Sequence, residues 1–304
     1  MKILCIDGGG IRGVFAVALL KAIEDEIDQP IGDAFDVIAG TSTGAIIAAS
    51  VALKKPMSEV LENYKIYGEK IFKRQAKVGL FKTVYSDRYL RRFFQKAFGE
   101  LTLGEIEKPL LIPAVDLTHG NPYVHRSNFG LAKEENDLTV KLWDAVLSSC
   151  SAPVYFPPNN MENKFLSIDG GLWANNPSLV CITEVMHHFE ENLDNIHILS
   201  IGTGKQRIDF SNGRDKDWGV KQWLPFHLPD MKVTPKLLDL ALHLSSESVS
   251  YHCVHLLKDR YLRINEDLGG EIPFDEVRHV NRLIQLASDC ITKRHEHILE
   301  FLRV

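Results

Sequence analysis

Apolar and polar positions along this chain follow two rhythms. Runs of four to six apolar residues bounded by turn signals read as buried strands, and longer runs with a 3.6-residue polar rhythm read as helices. Residues 2–6 form the first short run, ended by Asp7 and three glycines. Residues 14–27 follow as a helix, apolar through Leu20, then amphipathic with Lys21, Glu24, Asp25 and Glu26 on the wet side. Residues 35–39 predict a second strand. Residues 43–53 predict an almost wholly apolar helix that belongs deep inside. Strand, glycine turn and helix thus occur twice in succession, which predicts a sheet with helices on both faces.

Further along, strands are expected over 110–115, 165–168, 196–201 and 260–264. Helices are expected over 142–152, stopped by Pro153, over 236–257, and over most of 274–302. Residues 205–235 read as a long loop, with Trp218, Trp223 and Phe226 among Pro225, Pro229 and Pro235; such a segment is a candidate gate. There is no repeat and no clean linker. The expectation is a single α/β domain over 1–304 with a C-terminal extension from about 205.

Composition narrows the partners. The 304 residues are 45% hydrophobic and 25% charged, ordinary for a globular chain, and the net charge of −5 argues against a nucleic-acid polymer. Residues 54–98 depart from this: twelve Lys or Arg stand against four acids, a local +8 that leaves −13 for the rest. Nine aromatics share that stretch, making it the candidate surface for an anionic membrane. The bland reading keeps the aromatics in the core and the cations on a solvated face. Five cysteines without a C-x-x-C pair predict a reduced, cytosolic protein. The start, MKILC, lacks the apolar stretch of a secretion signal. No apolar run approaches the ~18 to 20 residues that span a bilayer, so lipid would be met from one side, at the inner face of the membrane.

Three motifs carry candidate chemistry. Gly40-Thr41-Ser42-Thr43-Gly44 is a G-x-S-x-G between a strand and a helix. A reactive serine must project from a sharp turn, and glycines at both ends relieve Cβ clashes there. A helix N-terminus behind the serine favours developing negative charge. Asp7-Gly8-Gly9-Gly10-Ile11-Arg12-Gly13 presents backbone N–H groups at the start of a helix, as an oxyanion needs. Gly8, Gly10 and Gly13 also fit the dinucleotide pattern G-x-G-x-x-G, but that pattern wants an acid ending the next strand, and Asp36 lies near the start of its own. Arg12 either stiffens the loop or attracts an anionic head group. Asp169-Gly170-Gly171 ends an apolar run and reads alone as an ordinary Asp-Gly turn.

Together, in this order, the three motifs resemble the patatin-like phospholipase family. SSCSAPVYFPP over 148–158 and LSIGTG over 199–204 are similar to further family segments, and the resemblance covers roughly 1–204. It implies a three-layer α/β/α sandwich with a mostly parallel central sheet. It implies a serine lipid acyl hydrolase in which Ser42 is the nucleophile, Asp169 the general base, and Gly8, Gly9 and Gly10 the oxyanion loop. Arg12, Gly13, Gly40, Gly44, Gly170 and Gly171 are then supporting motif residues. No metal or cofactor is expected. Compact bacterial members activated by cyclic dinucleotides in anti-phage defence add a cyclic-dinucleotide activator and assembly into a homo-oligomer as further expectations. Two rivals stay open. One is an α/β-hydrolase-type esterase with a Ser-His-Asp triad, since ten of the 12 histidines follow Asp169. The other is an idle lipid-binding protein.

Overall fold

A computed structural model describes residues 1–75, 82–127, 129, 138–205, 226–227, 232–233 and 236–303. β1 (Lys2–Ile6), β2 (Val37–Gly40), β3 (Leu110–Asp116), β4 (Asn121–Arg126), β5 (Asn159–Met161), β6 (Phe165–Asp169), β7 (His197–Ile201) and β10 (Tyr261–Ile264) form one eight-stranded sheet. β8 (Phe226–His227) and β9 (Lys232–Val233) pair separately. The helices are α1 (Gly13–Ile27), α2 (Thr43–Ala52), α3 (Met57–Ile71), α4 (Arg88–Phe98), α5 (Leu142–Ser149), α6 (Gly171–Ala174), α7 (Ser178–His188), α8 (Lys236–Leu257) and α9 (Val280–Arg303).

The sheet runs β10-β7-β1-β2-β3-β6-β5, with β4 on the other edge of β3. β10, β7, β1, β2 and β3 are mutually parallel; β4 and β6 run antiparallel to β3, and β5 to β6. Side chains alternate faces along a strand, and the two cores follow that rule. Leu4 and Ile6 of β1 join the larger core with α1, α2, α5 and α9. Ile3 and Cys5 join the smaller core with α7 and α8. The result is the expected mixed α/β architecture, a mostly parallel sheet covered on both faces.

Several boundaries differ from the expected ones. β2 spans Val37–Gly40, not 35–39, because Phe35 and Asp36 precede the pairing with β1. α5 stops at Ser149, and Ser151 and Ala152 leave helical geometry before Pro153 is reached. The C-terminal helix starts at Val280, after a single 3₁₀ turn at Val277–His279. The expected loop over 205–235, with Trp218, Trp223, Pro225, Pro229 and Pro235, lies outside the described residues except for Lys205 and the strands β8 and β9.

Sheet topology positions the site. A strand has two edges, and β4 covers one edge of β3 from Leu111 to Asp116. β2 and β6 therefore share the other, β2 opposite Leu110 and Leu111, β6 opposite Ala114 to Asp116. Because β2 runs parallel to β3 and β6 antiparallel, their C-terminal ends meet head-on near Pro113. Residues at those two ends face each other across one short gap.

Candidate active site

Ser42 and Asp169 stand at that gap. Asp169 is the last residue of β6, and Ser42 follows β2 by two residues. The Ser42 hydroxyl donates to Asp169 Oδ2 at 2.6 Å. The other carboxylate oxygen, Oδ1, accepts the Gly171 N–H at 2.7 Å. Burial raises the Asp169 pKa to about 6, against the opposing pull of the Ser42 and Gly171 hydrogen bonds. A carboxylate so raised is a far better base near neutrality than a free one.

The serine turn is strained. Ser42 has φ 55° and ψ −123°, outside the ordinary basins of an L-residue, a conformation that costs of order 1–3 kcal/mol. Tight packing holds it there. A Cβ on Gly40 would lie 2.0 Å from Gly44 O, and one on Gly44 2.2 Å from Ile6 O. The turn thus closes on itself while the N-terminus of α2 presses on β1. The segment 148–151 stitches the two ends together. The Ser42 N–H donates to Ser149 Oγ at 2.9 Å, and the Ser149 hydroxyl donates to Pro113 O at 2.6 Å. The Cys150 thiol donates to Ser42 O at 3.1 Å, and the Asp169 N–H to Ser151 O at 3.1 Å. Burial, then the charge of Asp169, push the Cys150 thiol well above its ordinary value, so it stays protonated.

The glycine loop sits over the serine. Gly8 donates its N–H to Asn175 O at 3.0 Å and accepts the Thr203 hydroxyl at 2.8 Å through its carbonyl. A Cβ on Gly8 would approach Asn175 Oδ1 to 2.4 Å and Ser42 Cβ to 3.2 Å, so only glycine lets the loop lie this close. The N–H groups of Gly9 and Gly10 have no partner among the described residues. Gly10, at φ +59°, turns the chain into the helical segment, and a Cβ there would meet Phe274 O at 2.3 Å. Arg12 donates from Nε to Gly9 O at 3.2 Å, which favours its loop-stiffening role. Gly13 lies against Thr43, where a Cβ would come 2.4 Å from Oγ1. Gly170 packs on Pro113 O in the same way, at 2.2 Å.

The three motifs therefore converge, and all eleven residues singled out belong to one cluster or its immediate support. Sequence reading did not find the roles of Ser149, Asn175 and Thr203. LSIGTG contains Thr203 and SSCS contains Ser149, but neither spacing reveals which hydroxyl supports which turn.

An apolar cleft opens from Ser42 and Asp169 toward α3 and α4. No histidine lines it among the described residues. The aromatics of 54–98 divide mostly as the bland reading expects: Tyr85, Phe94 and Phe98 are buried, Tyr64, Phe72 and Phe93 are half-buried against the core, and Tyr67 is half-buried against Phe93. Tyr89 is exposed; Phe81 and Lys77 lie outside the described residues. No described helix is long and apolar enough to cross a membrane.

This chain is similar to several known proteins. Patatin-like protein 1 of Arabidopsis thaliana is 30% identical over 90% of this chain and 76% of its own length. The cGAMP-activated phospholipase of Escherichia coli (strain TW11681) is 33% identical over 90% of this chain and 82% of its own. That of Pseudomonas aeruginosa (strain BWHPSA011 / Pa011) is 27% identical, over 97% and 86%. The family model for patatin-like phospholipase matches residues 4–182, more than half of the chain. On the match and these relatives, this protein is a lipid acyl hydrolase of the patatin-like phospholipase family.

Proposed function

We propose that the chain cleaves acyl esters of membrane phospholipids through an acyl-Ser42 intermediate, with Asp169 as general base. The carrying observation is the 2.6 Å hydrogen bond from the Ser42 hydroxyl to Asp169 Oδ2 at the head of an apolar cleft. As Ser42 Oγ bonds to the ester carbonyl carbon, its proton passes to Asp169. The carbonyl oxygen becomes an oxyanion. The Gly9 and Gly10 N–H groups, without a partner among the described residues, are the donors best suited to hold it, since Gly8 already donates to Asn175. The α2 N-terminus adds favourable potential. The tetrahedral species collapses, the C–O bond breaks, and Asp169 returns the proton to the departing alcohol or lysolipid. A water then gives its proton to Asp169 and attacks the acyl carbon; collapse frees the fatty acid and restores Ser42.

The reading takes 1–304 as one domain, because β10 completes the sheet beside β7. It makes the protein cytoplasmic, meeting the inner face of the membrane through the basic face of α3 and α4. A second reading adds control by a cyclic dinucleotide and assembly into a homo-oligomer. It is favoured by the cGAMP-activated phospholipases among the relatives. Lipid mass spectrometry with and without cyclic dinucleotides tests both. Fluorophosphonate labelling tests the dyad: wild type should be labelled at Ser42, and Ser42→Ala should lose labelling and turnover while melting normally. Turnover that survives in Ser42→Ala refutes the nucleophile. A histidine substitution that abolishes chemistry restores the triad, and absence of any turnover favours an idle lipid binder.

A further inference from the structure

A row of side chains leads away from Ser42 along α2. Ser42, Ile46 and Ser50 are four residues apart, so they stand one above another on a single helix face, and all three line the cleft. Every other residue of Thr43–Ala52 is buried, whereas Ile46 keeps accessible surface. An accessible isoleucine on an otherwise buried helix faces a cavity. α3 follows α2 after a short link, and its Tyr64 meets Thr43 near the serine, while Val60, one turn earlier, also lines the cleft. α4 closes the third side with Phe93 and Ala97.

The far end is polar. Lys55 donates from Nζ to Ala97 O at 2.7 Å and lies 5.6 Å over the Phe98 ring. The Ser50 hydroxyl donates to Ile46 O at 2.8 Å. At 1.5 Å per residue, Ser42 to Ser50 is about 12 Å along the helix. A trans hydrocarbon advances roughly 1.3 Å per carbon, from C–C bonds near 1.5 Å, so this limb takes about nine or ten carbons. A longer chain would press its methyl end on an ammonium and a hydroxyl that are already hydrogen-bonded, and would gain no apolar contact.

We infer that this limb holds the acyl chain of the scissile ester, and that Ser50, Lys55 and Phe98 form a floor that makes the resting enzyme favour chains of about ten carbons over those of membrane lipids. The inference rests on the hydrolase reading and narrows it.

The test is kcat/KM on p-nitrophenyl butyrate, octanoate, decanoate, dodecanoate and palmitate. In wild type it should rise roughly fourfold per methylene, the factor matching burial of one CH₂, peak near decanoate, and fall beyond. Phe98→Ala deepens the limb and should move the peak to dodecanoate or longer. Ser50→Leu shortens the limb and should move the peak to octanoate or below; it forfeits only a hydrogen bond within its own helix. Should Phe98→Ala fail to fold, Ser50→Leu alone decides. A flat wild-type profile, or a peak that stays put in the folded variants, overturns the assignment while leaving the hydrolase reading intact. Failure of wild type to cleave any ester, with no fluorophosphonate label on Ser42, would overturn both.

Discussion

Asp7 and Arg263, 256 positions apart, form a buried bidentate ion pair, Nη1 to Oδ1 at 2.7 Å and Nη2 to Oδ2 at 2.5 Å. The Ser246 hydroxyl of α8 donates to Oδ2 at 2.6 Å, and Arg263 also reaches Ser200 Oγ at 2.8 Å. Asp7 immediately precedes Gly8, so β10 and α8 together fix the start of the glycine loop. The C-terminal third is thereby tied to the active-site cluster.

Removing one member of such a pair leaves the other buried and uncompensated, which typically costs about 3–5 kcal/mol. Asp7→Ala should therefore lower stability by that order and depress kcat. Adding Arg263→Met should recover part of the stability without recovering kcat. Urea unfolding of the single and double variants measures this. A double variant destabilised by the full sum of the two single changes would mean that the two residues are not energetically coupled.

Asp169 makes activity and stability pull in opposite directions. Its base form populates above about 6, so kcat/KM should rise with pH through that value and drop tenfold per unit below it. An unfolded aspartate titrates near 3.9. Between roughly that value and about 6 the folded chain keeps a proton that the unfolded chain has lost. Stability from this group therefore falls as pH rises through the window and stays low above it. Asp169→Asn should cost ~10² to 10⁴-fold in turnover. Yet it should raise stability by about 3 kcal/mol near pH 8, an advantage that fades by about pH 4. Calorimetric melts of both proteins across that range check the sign. An Asn variant no more stable than wild type near pH 8 would show that Asp169 is not held at a raised pKa.

Much of this arrangement is written locally. The two strand–glycine–helix units, the order of the three motifs and the burial of α2 all follow from short-range pattern, because a run of apolar residues needs no partner to announce itself. The meeting of Ser42 with Asp169 does not. It depends on β6 reversing direction and sharing an edge of β3 with β2, a long-range pairing that no local periodicity encodes. Arg263 illustrates the same limit: a lone arginine in YLRI looks like an exposed strand residue until β10 lies beside β7. The aromatics of 54–98 were ambiguous for a different reason. A basic amphipathic helix such as α4 has the same pattern whether its apolar stripe covers a protein core or enters lipid.

The same helix carries the surface that should find the membrane. α4 buries Leu90, Phe94 and Phe98 and turns Arg88, Tyr89, Arg92 and Lys96 outward. Lys73 at the end of α3 is exposed too, and Ile66 and Tyr89 keep 49% and 48% of their surface accessible. Arg74 is a different case: it pairs with Asp275 at 3.3 Å, so reversing it would break a contact within the fold. Lys73, Arg88 and Arg92 have no carboxylate partner among the described residues, which makes them the cleaner test. Each basic residue near an anionic surface contributes about 1 kcal/mol, so losing three should weaken binding by at least ~100-fold. The combined Lys73→Glu, Arg88→Glu, Arg92→Glu variant should therefore lose sedimentation with phosphatidylserine vesicles and turnover on them. It should keep binding neutral phosphatidylcholine vesicles as weakly as wild type does. Raising salt toward ~1 M, where the Debye length shrinks to ~3 Å, should bring wild type down to the variant's level. Turnover of a soluble butyrate ester reports whether the variant is folded. If the folded triple variant binds phosphatidylserine vesicles as tightly as wild type at low salt, this face of α3 and α4 is not what meets the membrane.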